Sequence, residues 1–279
     1  MKKIIFINFY MVGVLLASSI LDVFARPVIH SFENKVQKSN IIFVAETVSE
    51  STEKIKLNVI KVIKGGDIAN SVEVKLDLLN SPEQKIPTFK LGDKLIVFAN
   101  QFEMDSAGLS ALITNPLGIQ KLELKVEEYE IIVKSINDYA TAEPKKKAVI
   151  LEQLLRSNHD FVRLQSLHMI YKDGVNDLDS RKELIGLVNE NLRSKNSMLV
   201  VAAIQASKRL AAKETVSELI ELIGSENIHI RESAIASVSD LLNKSLDVSK
   251  DSSQKQREEV KRELLIWWAE NRENINIIP

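Results

Sequence analysis

The 279-residue chain contains no cysteine. That excludes disulfides, cysteine nucleophiles, thiolate zinc sites and lipid attachment at an N-terminal cysteine. Glycine (9) and proline (6) are scarce, too few for an all-β chain rich in turns and ordinary for a largely helical one. The four histidines leave little room for dense metal chemistry. Neither sign of charge dominates, with 37 Lys and Arg against 38 Asp and Glu. There is therefore no bulk electrostatic attraction to nucleic acid or acidic membranes. Aromatics number 15, nine of them Phe. What the chain does have is apolar side chains, 45% of residues, enough for a substantial core and against general disorder. The length suits one large domain or two ordinary ones.

Residues 1–25 have the organisation of a secretory signal peptide. Lys2 and Lys3 form the positive start, and Ile4 to Ile20 is apolar apart from Asn8 and Ser18-Ser19. Val23-Phe24-Ala25 places small residues at the −3 and −1 positions of a cleavage site after Ala25. The rival, an uncleaved anchor, is disfavoured because the apolar run is short for a span of about 20 residues. No second apolar run of spanning length follows. The expected protein is exported, periplasmic or secreted, with no membrane span after signal removal. Without a cysteine it is not a lipoprotein.

Residues 26–125 are expected to form a β domain, with strand signals from residue 41 to about 122. Ile41-Ile42-Phe43-Val44-Ala45 is a nearly continuous apolar run suited to a buried strand. Lys54 to Ile63 and Val72 to Leu76 alternate polar with apolar, and Gly65-Gly66 makes a turn between them. Lys94 to Ala99 follows the turn Leu91-Gly92-Asp93, with weaker candidates at Leu109–Thr114 and Ile119–Leu124. Five or six short strands predict a small antiparallel β-barrel or sandwich. From about residue 126 the period changes to 3.6. Residues 126–142 form a connecting helix with Tyr129, Ile132, Val133 and Ile136 on one stripe.

Residues 143–279 repeat themselves. Ser157, Ser194 and Ser225 follow matching stretches and stand 37 and 31 residues apart. The triplets Val162, Ser166, Leu167; Leu199, Ala203, Ile204; and Ile230, Ala234, Ile235 have the same spacing. Small middle residues let helices approach closely. Ser180…Glu183, Thr215…Glu218 and Ser253…Gln256 have capping-box spacing and predict the starts of second helices. A helix pair every 31 to 37 residues predicts a short α-solenoid. The fold class is thus multidomain β plus α.

The helical half resembles HEAT repeats of the short bacterial kind, also seen in the phycocyanobilin-lyase HEAT-like group. Asp160-Phe161-Val162-Arg163 with Ser166-Leu167, and Ile228-His229-Ile230-Arg231 with Ala234-Ile235, carry the likeness. The middle unit departs from it, with Val200 in place of the Arg. The β half is similar to the OB-like barrel of bacterial exported proteins and of tissue inhibitors of metalloproteinases. That likeness rests on Ile42–Val48, Val59–Gly65 and Phe89–Phe98. The inhibitors chelate zinc through an N-terminal cysteine. The expected start here is Arg26-Pro27, so the mechanism does not transfer. Together the resemblances imply an exported HEAT-type solenoid behind an OB-like barrel, with a role in holding a partner.

Residues that carry chemistry elsewhere lack their companions here. His30, His159, His168 and His229 include no His pair at i, i+4 with an intervening Glu. The loop Asp173–Asp179 is acidic, but its Gly is second rather than sixth and Leu184 stands where a calcium loop needs Glu. Gly108-Leu109-Ser110-Ala111-Leu112 lacks the second glycine of a nucleophile elbow and reads as a loop entering a strand. No glycine-rich phosphate loop is present. No enzyme activity, cofactor or metal is expected. Two surface features suggest partner contact. Lys145, Lys146 and Lys147 form the densest basic run, and Trp267-Trp268 pairs one inward ring with one turned about 100° away.

These readings converge on a non-catalytic binding or scaffold protein of the bacterial envelope. Polar second-helix faces would present a concave surface to another envelope or secreted protein. The alternatives are a barrel-mediated inhibitor or glycan-binding protein and, further off, a lyase-like or hydrolytic enzyme.

Overall fold

The computed structural model describes residues 32–50, 54–66, 68–75, 89–99, 101–105, 108–112, 119–122, 124–249 and 251–275. Residues 1–25, expected from the sequence to be a signal peptide, and His30 lie outside them. The described chain runs from a β region into a helical region. A short helix α1 (Phe32–Lys38) precedes seven strands: β1 (Ile41–Glu50), β2 (Lys54–Lys64), β3 (Ser71–Lys75), β4 (Lys94–Ala99), β5 (Gln101–Asp105), β6 (Gly108–Leu112) and β7 (Ile119–Lys121). Ser110 therefore sits within a strand, not in a loop leading to one. Neither α1 nor β5 is foreshadowed by the sequence pattern.

The strands form one sheet in the order β5-β6-β3-β2-β1-β4-β7. Every neighbouring pair is antiparallel except β3–β6, which is parallel. Among the described residues β5 and β7 do not pair, so the sheet is open. The β1–β2 register shifts at Ile42/Phe43, Val44/Ala45 and Thr47/Ser49, and such bulges bend a sheet strongly. Gly65 ends β2 at φ +99°, where a side chain would also press on the Asn40 carbonyl.

The central strands are buried on both faces. On one, Phe43, Ala45, Leu57, Val72, Leu95 and Val97 build a core of their own. On the other, Ile42, Ile96 and Phe98 join the core of the helical region. This double burial explains the uninterrupted apolar run of β1 and β4, since a strand covered on both sides has no face for alternating polar residues.

The helices are α2 (Val126–Thr141), α3 (Pro144–Leu155), α4 (Asp160–Asp173), α5 (Leu178–Leu192), α6 (Ser197–Leu210), α7 (Val216–Glu221), α8 (Ile228–Leu242) and α9 (Gln254–Asn271). Short 3-10 turns at Lys213–Thr215 and Leu222–Gly224 flank α7. α4 packs on α6 and α6 on α8, forming a first layer. α3, α5, α7 and α9 follow one another as a second layer. The small residues Ser166, Ala203 and Ala234 are fully buried where helices meet. The Ser166 hydroxyl donates to the Leu151 carbonyl of α3 at 2.9 Å.

The repeated serines share one local role. Ser157, Ser194 and Ser225 each accept, through the hydroxyl, the N–H two residues on, at 3.2, 3.1 and 3.2 Å. Those N–H groups belong to His159, Asn196 and Asn227, the N-caps of α4, α6 and α8. The second-layer starts differ from expectation in two of three cases. Ser253 does cap α9, accepting from Gln256 N at 3.3 Å. At α5 the cap is Asp177, whose carboxylate accepts from Ser180 N at 3.0 Å. A carboxylate is a strong acceptor, and this cap starts the helix at Leu178, three residues before the Arg181 that a Ser180 cap would make first. Thr215 is itself in a 3-10 turn, and its hydroxyl donates to the Ala212 carbonyl at 2.8 Å instead of capping α7.

Candidate functional site

The first layer carries a groove of about 700 Å³ across α4, α6 and α8. Its lining follows the repeat. Leu164 on α4, Val201 on α6 and Glu232 on α8 stand 37 and 31 residues apart, the spacing of the buried triplets. His168, Gln205 and Ala236 form a second row in the same register, and Tyr171 and Lys208 begin a third. Each helix therefore presents the same face, and its composition changes along the array. The α4 end is aliphatic and aromatic; the α8 end is polar and small, with Glu232, Ser233 and Ser237.

Two large side chains at this groove are open to solvent, Met198 at 64% and Tyr171 at 50% exposure. His168 is half-buried. Burial holds its imidazole below the usual value, against the opposing effect of the Glu33 carboxylate. Lys208 on the rim is ion-paired with Asp240. The groove thus offers an apolar floor with hydrogen-bonding groups along its edges, the composition of a recognition surface.

The second layer has a different surface. Arg156 after α3 pairs with Glu183 of α5, and Arg193 after α5 pairs with Glu218 of α7. Glu221 of α7 meets Lys261 of α9 at 3.3 Å. These pairs span the furrows between successive second helices, whereas the groove lies on the first helices.

The residues expected to meet a partner fall at opposite ends of the second layer and do not form one site. Lys145 and Lys146 are exposed in the first turn of α3, behind Pro144. Lys147 lies over the Tyr139 ring, 5.0 Å from its centroid. On α9, Trp268 is buried and Trp267 is half-buried, with the Lys244 amine 4.3 Å from its ring centroid.

The histidines are likewise separate. His159 pairs with Glu128 of α2, whereas His168 and His229 line the groove from α4 and α8. Among the described residues no group of three or more metal-ligating side chains converges. In the acidic loop, Asp177 accepts both the Ser180 hydroxyl and the Ser180 N–H on Oδ2 at the α5 cap, and these bonds hold its carboxyl below the usual range.

Met198, Tyr171, Gln205 and Lys208 were not singled out by motif, because none belongs to one. The repeat offset would have found them, since the register that aligns Val162, Leu199 and Ile230 also aligns the groove rows. Among the described residues no helix is long and apolar enough to cross a membrane. Set beside known proteins, the chain matches no family model, no curated protein and no solved structure.

Proposed function

We propose that this chain is a non-catalytic, exported binding protein, a HEAT-type solenoid behind an OB-like β domain, that holds a segment of another envelope or secreted protein. The observation that carries this reading is the groove, made of equivalent positions on three successive helices and leaving Met198 and Tyr171 open to solvent. A rigid stack presents such a surface without the ordering cost of a flexible loop. The occupant is a polypeptide segment with a bulky apolar side chain. That side chain seats among Leu164, Val201 and Met198, and its flanking backbone meets Gln205 and Ser233 at the edges.

The test is site-specific photocrosslinking in the envelope fraction of the source cells. A photoreactive residue replaces Met198 or Tyr171 in the groove, with Ile131 of α2, 61% exposed, as the control position. Adducts to one protein from both groove positions and none from Ile131, lost on Val201→Glu, support the reading. Adducts from Ile131 alone, or none, sink it.

A further inference from the structure

α1 occupies the seam between sheet and helices. Its Phe32 ring meets Phe98 of β4 edge-on at 5.4 Å and Phe161 of α4 edge-on at 5.2 Å, with Tyr129 of α2 tilted at 6.0 Å. The Lys64 amine of β2 donates to the Val36 carbonyl at 2.8 Å. Glu33, only 3% exposed, accepts from Lys172 of α4 and from Gln37, both at 2.9 Å. Four elements are thus gathered by seven residues.

Yet the hold of α1 is weak by composition. A two-turn helix has no stability of its own. Of its four buried residues, only Phe32 and Val36 are apolar; the others are Glu33 and Lys35. Burial pushes the Lys35 amine down to about 8, and it lies 5.8 Å from the centroid of the Phe98 ring. The Glu33–Lys172 pair is open to solvent on the lysine side, and solvent screening leaves such a pair little net strength.

The seat also adjoins the groove. α4 carries the α1 contacts Phe161 and Lys172 and the groove residues Leu164, His168 and Tyr171. His168 lines the groove and lies within electrostatic reach of the Glu33 carboxylate, which favours its protonated form.

We propose that α1 is a releasable strap, opening locally at the seam, and that its seating is coupled through α4 to the state of the groove. The link to binding rests on the groove being the partner site; the strap itself does not. Release uncovers Phe98, Tyr129 and Phe161 beside the apolar end of the groove and frees the last turn of α4.

Native-state hydrogen exchange on the protein alone, with Phe32→Ala and Lys35→Met beside the wild type, tests this. In the wild type the amides of Val36 to Ser39 exchange about tenfold or more faster, relative to intrinsic rates, than those of α2 and β1, because they open locally. Phe32→Ala accelerates exchange in α1 and in Met169 to Asp173 while leaving α8 unchanged. Lys35→Met slows it in α1. Exchange of α1 only with global unfolding, at the protection of β1, overturns the strap. Faster α1 exchange with Met169 to Asp173 unmoved overturns the coupling. No partner enters this experiment, so a failed crosslink at Met198 counts against the groove reading alone.

Discussion

At the scale of single residues, the informative positions are polar groups drawn into apolar surroundings. His168 lines the groove half-buried and feels the charge of the Glu33 carboxylate. Burial lowers its affinity for a proton in the fold, so the unfolded chain takes up the proton first as pH falls. Stability present above about 6.5, the ordinary imidazole value, is therefore expected to decline as pH drops below it. Urea midpoints at pH 5, 6, 7 and 8 should show this decline in the wild type and a flatter profile in His168→Gln. At the far end of the array the two tryptophans are not equivalent. Trp268 is 4% exposed, and Trp268→Ala is expected to cost about 3–5 kcal/mol, the range for truncating a large core aromatic. Trp267→Ala, which removes a half-buried ring under Lys244, should cost clearly less in the same denaturation assay.

At the scale of elements, the helix starts separate what a pattern can find from what it cannot. Asp177→Ala should cost about 1 kcal/mol as the loss of an N-cap, and Ser180→Ala less, because the Ser180 N–H keeps its carboxylate acceptor. Thermal unfolding of the two variants measures the difference. Capping-box spacing pointed to Ser180, since Asp177 and Ser180 both precede an apolar run and only geometry distinguishes them. The serines at 157, 194 and 225 were legible because their role is local: each hydroxyl bonds the backbone two residues on. β1 and β4 were legible from their apolar runs. α1 was not, because its two apolar residues, Phe32 and Val36, find their meaning only against Phe98, Tyr129 and Phe161, distant in sequence. Closeness of packing yields one more expectation. Ala203 on α6 has no exposed surface, so Ala203→Leu should lower stability by about 1–3 kcal/mol through overpacking, visible as a shifted urea midpoint.

At the scale of the whole molecule, one apolar cluster runs from Phe32 and Ile42 through the helices to Trp268. The sheet face and the far end of the helices are links in a single chain of contacts. Both tryptophans lie in α9, so their fluorescence reports on the end most remote from the sheet. Its urea transition is expected to coincide with exchange of the β1 amides, and separated midpoints would show that the halves unfold apart. The groove belongs to this scale as well. It was invisible to motif reasoning because no single segment contains it; three helices contribute one face each. That arrangement separates two kinds of position on the same helix. Ser166, Ala203 and Ala234 hold neighbouring helices together, while Leu164, Val201 and Glu232, two residues earlier in each, look outward into the groove. Substitution of the exposed Glu232 is expected to move stability by no more than about 0.5 kcal/mol, whereas Leu164 and Val201 are half-buried against the core and are costlier to change. The polar α8 end of this lining can therefore be rewritten without disturbing the stack, and the chemistry of that face is free to drift while the packing beneath it stays fixed.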